Sequence, residues 1–281
     1  MTKILITGAT GQLGSELRNL LDERGVAYDA FDAQGLDITD QQAVDTKFAD
    51  LKPTVVYHCA AYTAVDKAED EGKQVNWRVN EDGTRNVARA AKRIGAKLVY
   101  ISTDYVFDGT NPGEYQVDDP TNPKNEYGKA KLAGEQVVKD ETDDYYIIRT
   151  SWVFGKYGKN FVYTMRRLTK THDRLTVVDD QVGRPTWTRT LAEFMTYLVD
   201  HDEPFGTYQL SNADSCSWYE FAREILKDTA VTVAPVPSEA YPQKAYRPRH
   251  SIMSLAKAEG IGFKIISWQE ALRQFLQSID K

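Results

Sequence analysis

The sequence predicts an α/β fold in which a parallel sheet is covered by helices on both faces. Short apolar segments rich in β-formers alternate with longer helix-like segments over the first 150 residues. These predicted strands are apolar almost throughout, as is typical of strands buried on both faces. After Trp152 the pattern changes to short helices separated by loops with Pro and Gly. We therefore expect a doubly wound domain over residues 1–151 and a smaller α/β substrate lobe over 152–281. The boundary is soft, because such lobes often exchange strands.

The predicted elements of the first part follow one another as strand and helix. Strands are predicted at 3–7, 27–32, 54–61, 97–102 and 145–150. Helices are predicted at 11–25, at 41–51 before Pro53, at 80–95, and from about residue 127 onward. In the second part, "SWYEFAREILKD" (217–228) and "SWQEALRQFLQSI" (267–279) predict helices. Residues 231–250 contain four prolines and predict a loop with at most one short strand.

Composition excludes several classes of protein. The 281 residues are 41% hydrophobic and 27% charged, which is typical of a soluble globular protein. A net charge of −6 argues against nucleic acid or an anionic membrane as a partner. No segment approaches the roughly 20 apolar residues of a membrane span, and the first apolar run breaks at Gly8, so we expect no signal peptide. Two cysteines, Cys59 and Cys216, are too few for a disulfide framework, and we expect a cytoplasmic protein.

The first predicted strand leads directly into the glycine-rich segment "TGATGQLGSEL". Gly8, Gly11 and Gly14 are spaced three apart at a strand–helix junction, where free N–H groups can bind a pyrophosphate. A tight turn with no ligand is the alternative. Asp32 ends the second predicted strand 18 residues after Gly14, where a carboxylate meets the ribose hydroxyls of adenosine. The combination predicts a Rossmann-type domain that binds a dinucleotide.

A possible catalytic group follows the fourth predicted strand. Ser102, Thr103 and Asp104 lie at the carboxyl end of this strand, on the sheet edge where ligands bind in open α/β folds. Tyr127 and Lys131 lie four residues apart on one helix face, with small residues around them that leave room for a flat ligand. A nearby ammonium and an oxidised nicotinamide make a tyrosine usable as an acid–base. The Tyr-x-x-x-Lys pattern also occurs by chance on surface helices, but the glycine loop and Thr103 favour chemistry.

On these motifs the chain resembles the extended short-chain dehydrogenase/reductase superfamily. Within it, the chain resembles the dTDP-4-dehydrorhamnose reductase family over nearly its whole length. Six further segments carry this closer resemblance: "AAYTAVDKAE" (60–69), "STDYVFDG" (102–109), "YGKAKLAGE" (127–135), "RTSWVFG" (149–155), "DDQVGRPT" (179–186) and "YRPRHS" (246–251). The resemblance implies that the protein reduces the 4-keto group of a sugar nucleotide with NADH or NADPH, in the last step of dTDP-L-rhamnose synthesis.

The resemblance also assigns residues to roles. It implies a catalytic triad of Thr103, Tyr127 and Lys131, in which Lys131 holds both Tyr127 and the ribose. With the glycine loop, it implies a cofactor site composed of Gly8, Gly11, Gln12, Leu13, Gly14, Asp32, Asp37, Ile38, Ala60, Ala61, Tyr62, Tyr127 and Lys131. The implied substrate contacts are Val65, Thr103, Asp104, Trp152 as an apolar wall, and Arg247 toward the diphosphate or nucleotide. From the residues alone, Trp152 would be a core residue and Arg247 a solvated charge.

Two other functions stay open at this point. One is a nucleotide-sugar 4,6-dehydratase or 4-epimerase, although a dehydratase usually has Asp-Glu after the threonine, and here Asp104 precedes Tyr105. The other is a non-catalytic subunit similar to the regulatory subunit of methionine adenosyltransferase. Some relatives dimerise through a glutamate-bound metal. Glu16 fits one such position, but no partners are evident near residue 189 or the C-terminus, so we expect no metal and a monomer or homodimer.

Overall fold

A computed structural model of the protein describes residues 2–279, so Met1 and the last two residues of the predicted second lobe lie outside the described part. The strands are β1 (Ile4–Thr7), β2 (Tyr28–Phe31), β3 (Val55–His58), β4 (Lys97–Thr103), β5 (Tyr145–Thr150), β6 (Val153–Phe154), β7 (Arg174–Val178), β8 (Val182–Gly183), β9 (Thr186–Trp187), β10 (Gly206–Gln209), β11 (Cys216–Ser217) and β12 (Thr232–Val236). The α-helices are α1 (Gln12–Glu23), α2 (Gln41–Leu51), α3 (Lys73–Trp77), α4 (Thr84–Ile94), α5 (Glu126–Glu141), α6 (Phe161–Leu168), α7 (Thr188–Asp200), α8 (Trp218–Ile225), α9 (Ala256–Gly260) and α10 (Trp268–Ile279). Short 3₁₀ turns lie at Lys67–Glu69, Asp104–Val106 and Ser238–Ala240, and a π-helical turn lies at Arg78–Gly83.

A six-stranded sheet in the order β10-β5-β4-β3-β1-β2 forms the centre of the molecule. Every neighbouring pair in it is parallel. The strands therefore all end at the same edge, and the chain reverses its order of addition between β1 and β3. In open α/β sheets, ligands bind at this switch point, outside the carboxyl ends of the strands. The predicted α/β class with a doubly wound parallel sheet is confirmed.

Alternate side chains of each strand enter two different cores, as the period of two requires. On one face, Ile4 and Ile6 pack with helices α1 and α7. On the other face, Leu5 packs with α2, α4 and α5. Because both faces of the central strands are buried, their sequences are apolar without alternation, and this feature made them recognisable.

The second part of the chain forms a third core and also contributes to the central sheet. Helices α6, α8 and α10 pack around Phe154, Phe221 and Phe275. The pair β7–β12 is parallel, and two smaller pairs, β6–β9 and β8–β11, lie in the same part. Strand β10, however, lies beside β5 at the edge of the central sheet, and α7 covers one face of that sheet. The short strand in the proline-rich segment is Thr232–Val236.

Two predicted features of the helices differ in the structure. The helix expected from residue 80 begins at Thr84, after the π-helical turn. The small residues beside Tyr127 do not leave the expected open space, because a Cβ at Gly128 would lie 2.3 Å from the Tyr105 carbonyl oxygen. A Cβ at Gly134 would lie 2.2 Å from the Tyr100 hydroxyl. These glycines let α5 pack tightly against β4 and the turn after it. None of the described helices is long and apolar enough to cross a membrane.

Candidate active site

A cavity of about 400 Å³ lies at the carboxyl edge of the central sheet and contains the predicted triad. Thr103 comes from the end of β4, and Tyr127 and Lys131 come from the first turns of α5. The Asn125 side chain caps α5 by accepting a hydrogen bond from the Gly128 N–H at 2.7 Å. The cap fixes where the helix starts, and the close approach at Gly128 fixes its depth. Both features set the position of Tyr127 relative to Thr103.

The Thr103 hydroxyl is held by its own chain neighbours. It donates to Asp104 Oδ1 at 3.0 Å and accepts from the Tyr105 backbone N–H at 3.2 Å. Asp104 is 3% exposed, and within the described residues its Oδ2 has no hydrogen-bond partner. Burial raises the pKa of Asp104 to about 6, with hydroxyls of Ser251 and Thr103 lowering it in part. A carboxyl group of this kind changes its protonation state near neutral pH.

The environment of Tyr127 favours a neutral phenol. Burial raises the pKa of Tyr127 above its usual range, the nearby Asp104 raises it further, and the Thr103 hydroxyl lowers it. The Tyr127 ring meets the Tyr105 ring edge to face, with centroids 6.0 Å apart. Tyr127 thus keeps its proton at neutral pH, which is the state that a proton donor requires.

Lys131 is buried below the same cavity, only 2% exposed. Its ammonium lies 4.0 Å from the centre of the Tyr100 ring, a cation–π contact. Burial lowers the pKa of Lys131 to about 7, and the negative charge of Glu135 opposes this fall. Within residues 2–279 no hydrogen bond joins the Lys131 ammonium to Tyr127, although both residues line the same cavity.

A buried ion pair supports the floor of the site. Both carboxylate oxygens of Glu135 accept from the Arg149 guanidinium, at 2.8 and 2.7 Å. Ser102 donates to the same carboxylate at 2.6 Å. Glu135 and Arg149 are both almost fully buried. The pair links α5 to β5 and β4 directly below the catalytic residues. Because Arg149 neutralises the Glu135 carboxylate through two hydrogen bonds, Glu135 does not form an ion pair with Lys131 among the described residues.

The glycine loop has a backbone that only glycine tolerates at its first position. Gly8 has a φ of +66°, and a Cβ there would lie 2.5 Å from the Ala60 nitrogen. A Cβ at Gly14 would lie 2.3 Å from the Gly8 carbonyl oxygen, so Gly14 serves the close packing of α1 on the loop. Gly11 is the N-cap of α1 and has no side chain to satisfy the first N–H groups. Gly11, Gln12 and Leu13 line the catalytic cavity. The loop therefore fits a bound pyrophosphate.

A second cavity, of about 310 Å³, continues from the glycine loop along the ends of β2 and β3. Eight of the predicted cofactor contacts line it, among them the three expected to flank the adenosine (Asp32, Asp37 and Ile38): Gly8, Gly11, Asp32, Asp37, Ile38, Ala60, Ala61 and Tyr62. The Asp32 carboxylate also holds the turn after β2, because its Oδ1 accepts from the N–H groups of Gln34 and Gly35 at 3.0 Å each. Among residues 2–279 its Oδ2 forms no hydrogen bond, so this oxygen can accept one from a ribose bound in the cavity.

Trp152 sits in a strained turn that directs it into the catalytic cavity. Its φ is +48°, in the left-handed region that an aromatic residue rarely adopts. The indole stacks on Trp218 with ring centroids 3.6 Å apart and an interplanar angle of 9°. A Cβ at Gly183 would lie 2.7 Å from the Trp152 ring, so glycine is required there. Such strain is concentrated at functional sites.

A third cavity, of about 320 Å³, adjoins the catalytic one. Tyr105 and Trp218 line both cavities and form their common wall. Arg247 lines the third cavity, and its guanidinium pairs with Asp66 at 2.9 Å and lies over the Tyr105 ring. The Arg247 Nη1 is buried and has no partner among the described residues. A free guanidinium N–H beside a cavity suits a phosphate oxygen.

Sequence reasoning placed most of these residues but not all. The structure brings the triad, Asp104 and Trp152 to one cavity, and Arg247 to its neighbour. Val65 is half-buried and is absent from the described lining of all three cavities. Tyr105 and Trp218 were not predicted as site residues, although Tyr105 lies within the segment STDYVFDG and Trp218 lies at the start of the helix predicted at 217–228. Asn80 was also missed. Its side chain holds the loop after β3 through hydrogen bonds to the backbone N–H and carbonyl of Tyr62, at 3.1 and 3.0 Å.

The carboxylate of Glu16 lies beside the guanidinium of Arg189. This carboxylate is 5% exposed and lies 3.8 Å from the Arg189 guanidinium, which also pairs with Glu23 and Glu193. Burial raises the pKa of Glu16. Among residues 2–279, no group of three or more His, Cys, Asp or Glu side chains is arranged to hold a metal ion.

Comparison with known proteins identifies close relatives. The family model described as the RmlD substrate binding domain matches residues 1–281. The chain is 43% identical over 279 residues to the spore coat polysaccharide biosynthesis protein SpsK of Bacillus subtilis, covering 99% of this chain and 98% of that protein. It is 41% identical to a dTDP-4-dehydrorhamnose reductase of Streptomyces griseus, covering 96% of this chain and 91% of that protein. A dTDP-4-dehydrorhamnose reductase of Bacillus anthracis, solved in complex with NADP, superposes with a TM-score of 0.95 at 43% identity, covering 99% of this chain and 100% of that one.

Proposed function

Because this chain belongs to the dTDP-4-dehydrorhamnose reductase family, we propose that it reduces the 4-keto group of dTDP-4-dehydro-L-rhamnose to give dTDP-L-rhamnose, using NADH or NADPH. The observation that supports this most strongly is the convergence of Thr103, Tyr127 and Lys131 with the glycine loop around one cavity. The protein works in the cytoplasm as a monomer or homodimer, with a nucleotide sugar as its partner.

The cofactor lies along the carboxyl edge of the sheet, from the second cavity into the catalytic one. The tight backbone at Gly8 and Gly14 and the uncapped start of α1 fit the pyrophosphate. Asp32 accepts from the adenosine ribose, and Lys131 binds the ribose next to the nicotinamide. When bound, the reduced nicotinamide supplies the hydride for the C4 carbonyl carbon of the sugar.

The protein supplies the proton and the orientation. Tyr127 donates its hydroxyl proton to the C4 oxygen, and burial favours the protonated phenol before reaction. The Thr103 hydroxyl donates a hydrogen bond to the same oxygen, which stabilises the charge that develops on it. After transfer, the nearby Lys131 ammonium and the oxidised nicotinamide stabilise the phenolate, and solvent returns the proton.

The third cavity takes the nucleotide end of the substrate. Its walls combine apolar groups with a few polar ones, as is typical of small-molecule sites. Met165, Leu168 and Val178 offer an apolar surface for the 5-methyl group of thymine. Arg247, through its free Nη1, binds the diphosphate. One methyl group in an apolar pocket contributes about 1 kcal/mol, so we expect a several-fold preference for dTDP over UDP.

Oxidation of NADH and NADPH by the purified protein tests this function. The substrate is dTDP-4-dehydro-L-rhamnose, and the controls are the matching UDP sugar and the C3/C5 epimer of the dTDP sugar. We expect turnover that is fastest with the dTDP-linked rhamnose precursor and at least about 10²-fold slower in the Tyr127→Phe variant at the same enzyme concentration. Turnover of the epimer or the UDP sugar with a higher kcat/KM than the dTDP precursor would contradict the assigned substrate.

A further inference from the structure

The Thr103 hydroxyl has one hydrogen and two groups that compete for it. To stabilise the C4 oxygen of the substrate, this hydroxyl must donate its hydrogen toward the cavity. In the structure it faces Asp104 Oδ1 at 3.0 Å and already accepts from the Tyr105 N–H. When Asp104 is ionised, its carboxylate can only accept, so the Thr103 hydrogen is drawn to Asp104 and away from the substrate.

Asp104 has no cation to hold it in the ionised state. Among residues 2–279 no lysine or arginine forms an ion pair with it, and its Oδ2 is buried and meets no hydrogen-bond criterion. The two hydroxyls that lower its pKa, those of Ser251 and Thr103, are neutral. An orphaned carboxylate oxygen costs much more free energy than an orphaned carboxylic acid, because the charge is not compensated. The geometry therefore favours the protonated acid, in agreement with the rise in the pKa of Asp104 to about 6.

The groups that face Asp104 come from three segments. On its own turn these are Thr103 and Tyr105, and on α5 they are Tyr127 and, further away across the cavity, Lys131. The segment after β12 contributes the buried Ser251 hydroxyl. Arg247, from the same segment, has its guanidinium over the Tyr105 ring. None of the neutral groups can replace a counter-ion, and a bound sugar would exclude water and raise the pKa of Asp104 further.

We propose that Asp104 positions the Thr103 hydroxyl for the reaction: a protonated Asp104 donates to Thr103, and the Thr103 hydrogen is thereby free for the carbonyl oxygen of the substrate. This role rests on the proposed reductase function. Besides the Tyr127 proton that is transferred to the substrate, it requires a proton on Asp104, which orients the Thr103 hydroxyl and is not transferred. Asp104 is therefore a positioning residue that acts through Thr103. The orientation is complete at low pH and is lost as the pH rises through the pKa of Asp104 in the substrate complex.

The test compares kcat at saturating substrate for the wild type and Asp104→Asn as a function of pH. An amide does not titrate, so the variant cannot lose the orientation of Thr103 as the pH rises. We expect the ratio of kcat in Asp104→Asn to kcat in the wild type to rise about tenfold or more between about pH 6 and about pH 8. Lys131 titrates in both proteins, and its contribution divides out of the ratio.

A second pair of variants separates positioning from direct contact. Thr103→Val removes the hydroxyl with little change in shape, so adding Asp104→Asn to it should leave the pH dependence of kcat unchanged. A ratio that is constant with pH, or one that rises equally in the Thr103→Val background, would overturn the proposal. So would an effect of Asp104→Asn confined to KM, which would indicate a simple substrate contact.

Infrared spectroscopy gives a readout that does not depend on turnover. The difference between the wild type and Asp104→Asn should contain the carbonyl stretch of a protonated carboxylic acid that disappears as the pH rises above about 6. Absence of this band at low pH would refute the proposal even if the enzyme is active. If the carbonyl band of Asp104 is present but the wild type does not turn over the dTDP sugar, the result counts against the proposed function and not against the protonation of Asp104.

Discussion

Replacing Lys131 by methionine should abolish efficient turnover and yet stabilise the fold. The ammonium is 2% exposed and its pKa falls from 10.5 to about 7 because it is buried. Each tenfold change in an acid dissociation constant corresponds to about 1.4 kcal/mol, so the buried charge destabilises the folded state by up to about 5 kcal/mol relative to an uncharged side chain. The variant also loses the cation–π contact between the ammonium and the Tyr100 ring, at 4.0 Å, and this loss offsets part of the gain. Methionine keeps the length of the side chain and fills the same space.

The gain in stability has a definite pH dependence. The penalty is fully present below the folded pKa of Lys131, where the group is charged in both states. It fades as the pH rises from about 7 toward 10.5, because the folded protein then releases the proton while the unfolded chain keeps it. The upper limit of the gain should therefore fall from about 5 kcal/mol at about pH 6 to about 3 kcal/mol at about pH 8.5.

Urea unfolding without cofactor, followed by circular dichroism at these two pH values, measures the effect. Lys129→Met is the matched control, because Lys129 lies on the same helix, is largely exposed and pairs with Glu126. It should change the free energy of unfolding little, with the same value at both pH values. A Lys131→Met protein that is less stable than the wild type at pH 6, or whose gain does not shrink with pH, would refute this account of the buried ammonium.

Three further predictions follow from the same site. Tyr127→Phe keeps the ring contact with Tyr105 but loses the proton donor, so kcat should fall by about 10²–10⁴-fold while the cofactor Kd from calorimetry stays unchanged. Asp32→Asn keeps the acceptor for the Gln34 N–H and removes the charge, so the kcat/KM ratio of NADPH to NADH should rise. In the wild type we expect NADH to serve at least as well as NADPH, and a tenfold preference for NADPH, about 1.4 kcal/mol, would show that basic groups such as Lys47 control the pocket instead. Dialysis against EDTA should leave turnover unchanged, and activity restored by Mg²⁺ after a loss would contradict the metal-free reaction.

The sequence predicted the sheet because each of its inner strands had to be apolar on both faces. It predicted the glycine loop because the backbone conformation and close contacts at Gly8 exclude any other residue, so one position in the sequence reveals the turn. It predicted the Tyr127 and Lys131 pair because helical spacing alone places them on one face. In each case the cause is local, and the residues that share a role lie close together in the chain.

The features that sequence reasoning missed depend on contacts between distant segments. Trp218 becomes part of the site only because Trp152 stacks on it, and the stack needs Gly183 behind it. Asn80 holds Tyr62 from a π-helical turn that the periodic helix pattern concealed. The Asp104 Oδ2 has no hydrogen-bond partner among the described residues because of the groups that surround it in three dimensions. Residue spacing in the sequence cannot predict such a feature.

The transfer of deuterium from reduced cofactor labelled at C4 tests the central claim most directly. The purified enzyme, dTDP-4-dehydro-L-rhamnose and the two C4 stereoisomers of the labelled cofactor are combined, and the isolated sugar nucleotide is analysed by NMR. We predict that one stereoisomer delivers its deuterium to C4 of the sugar, with one cofactor oxidised for each dTDP-L-rhamnose formed. Oxidation of the cofactor without deuterium at C4 of the sugar, or conversion of the sugar with no net oxidation of the cofactor, as an epimerase would give, would contradict the account.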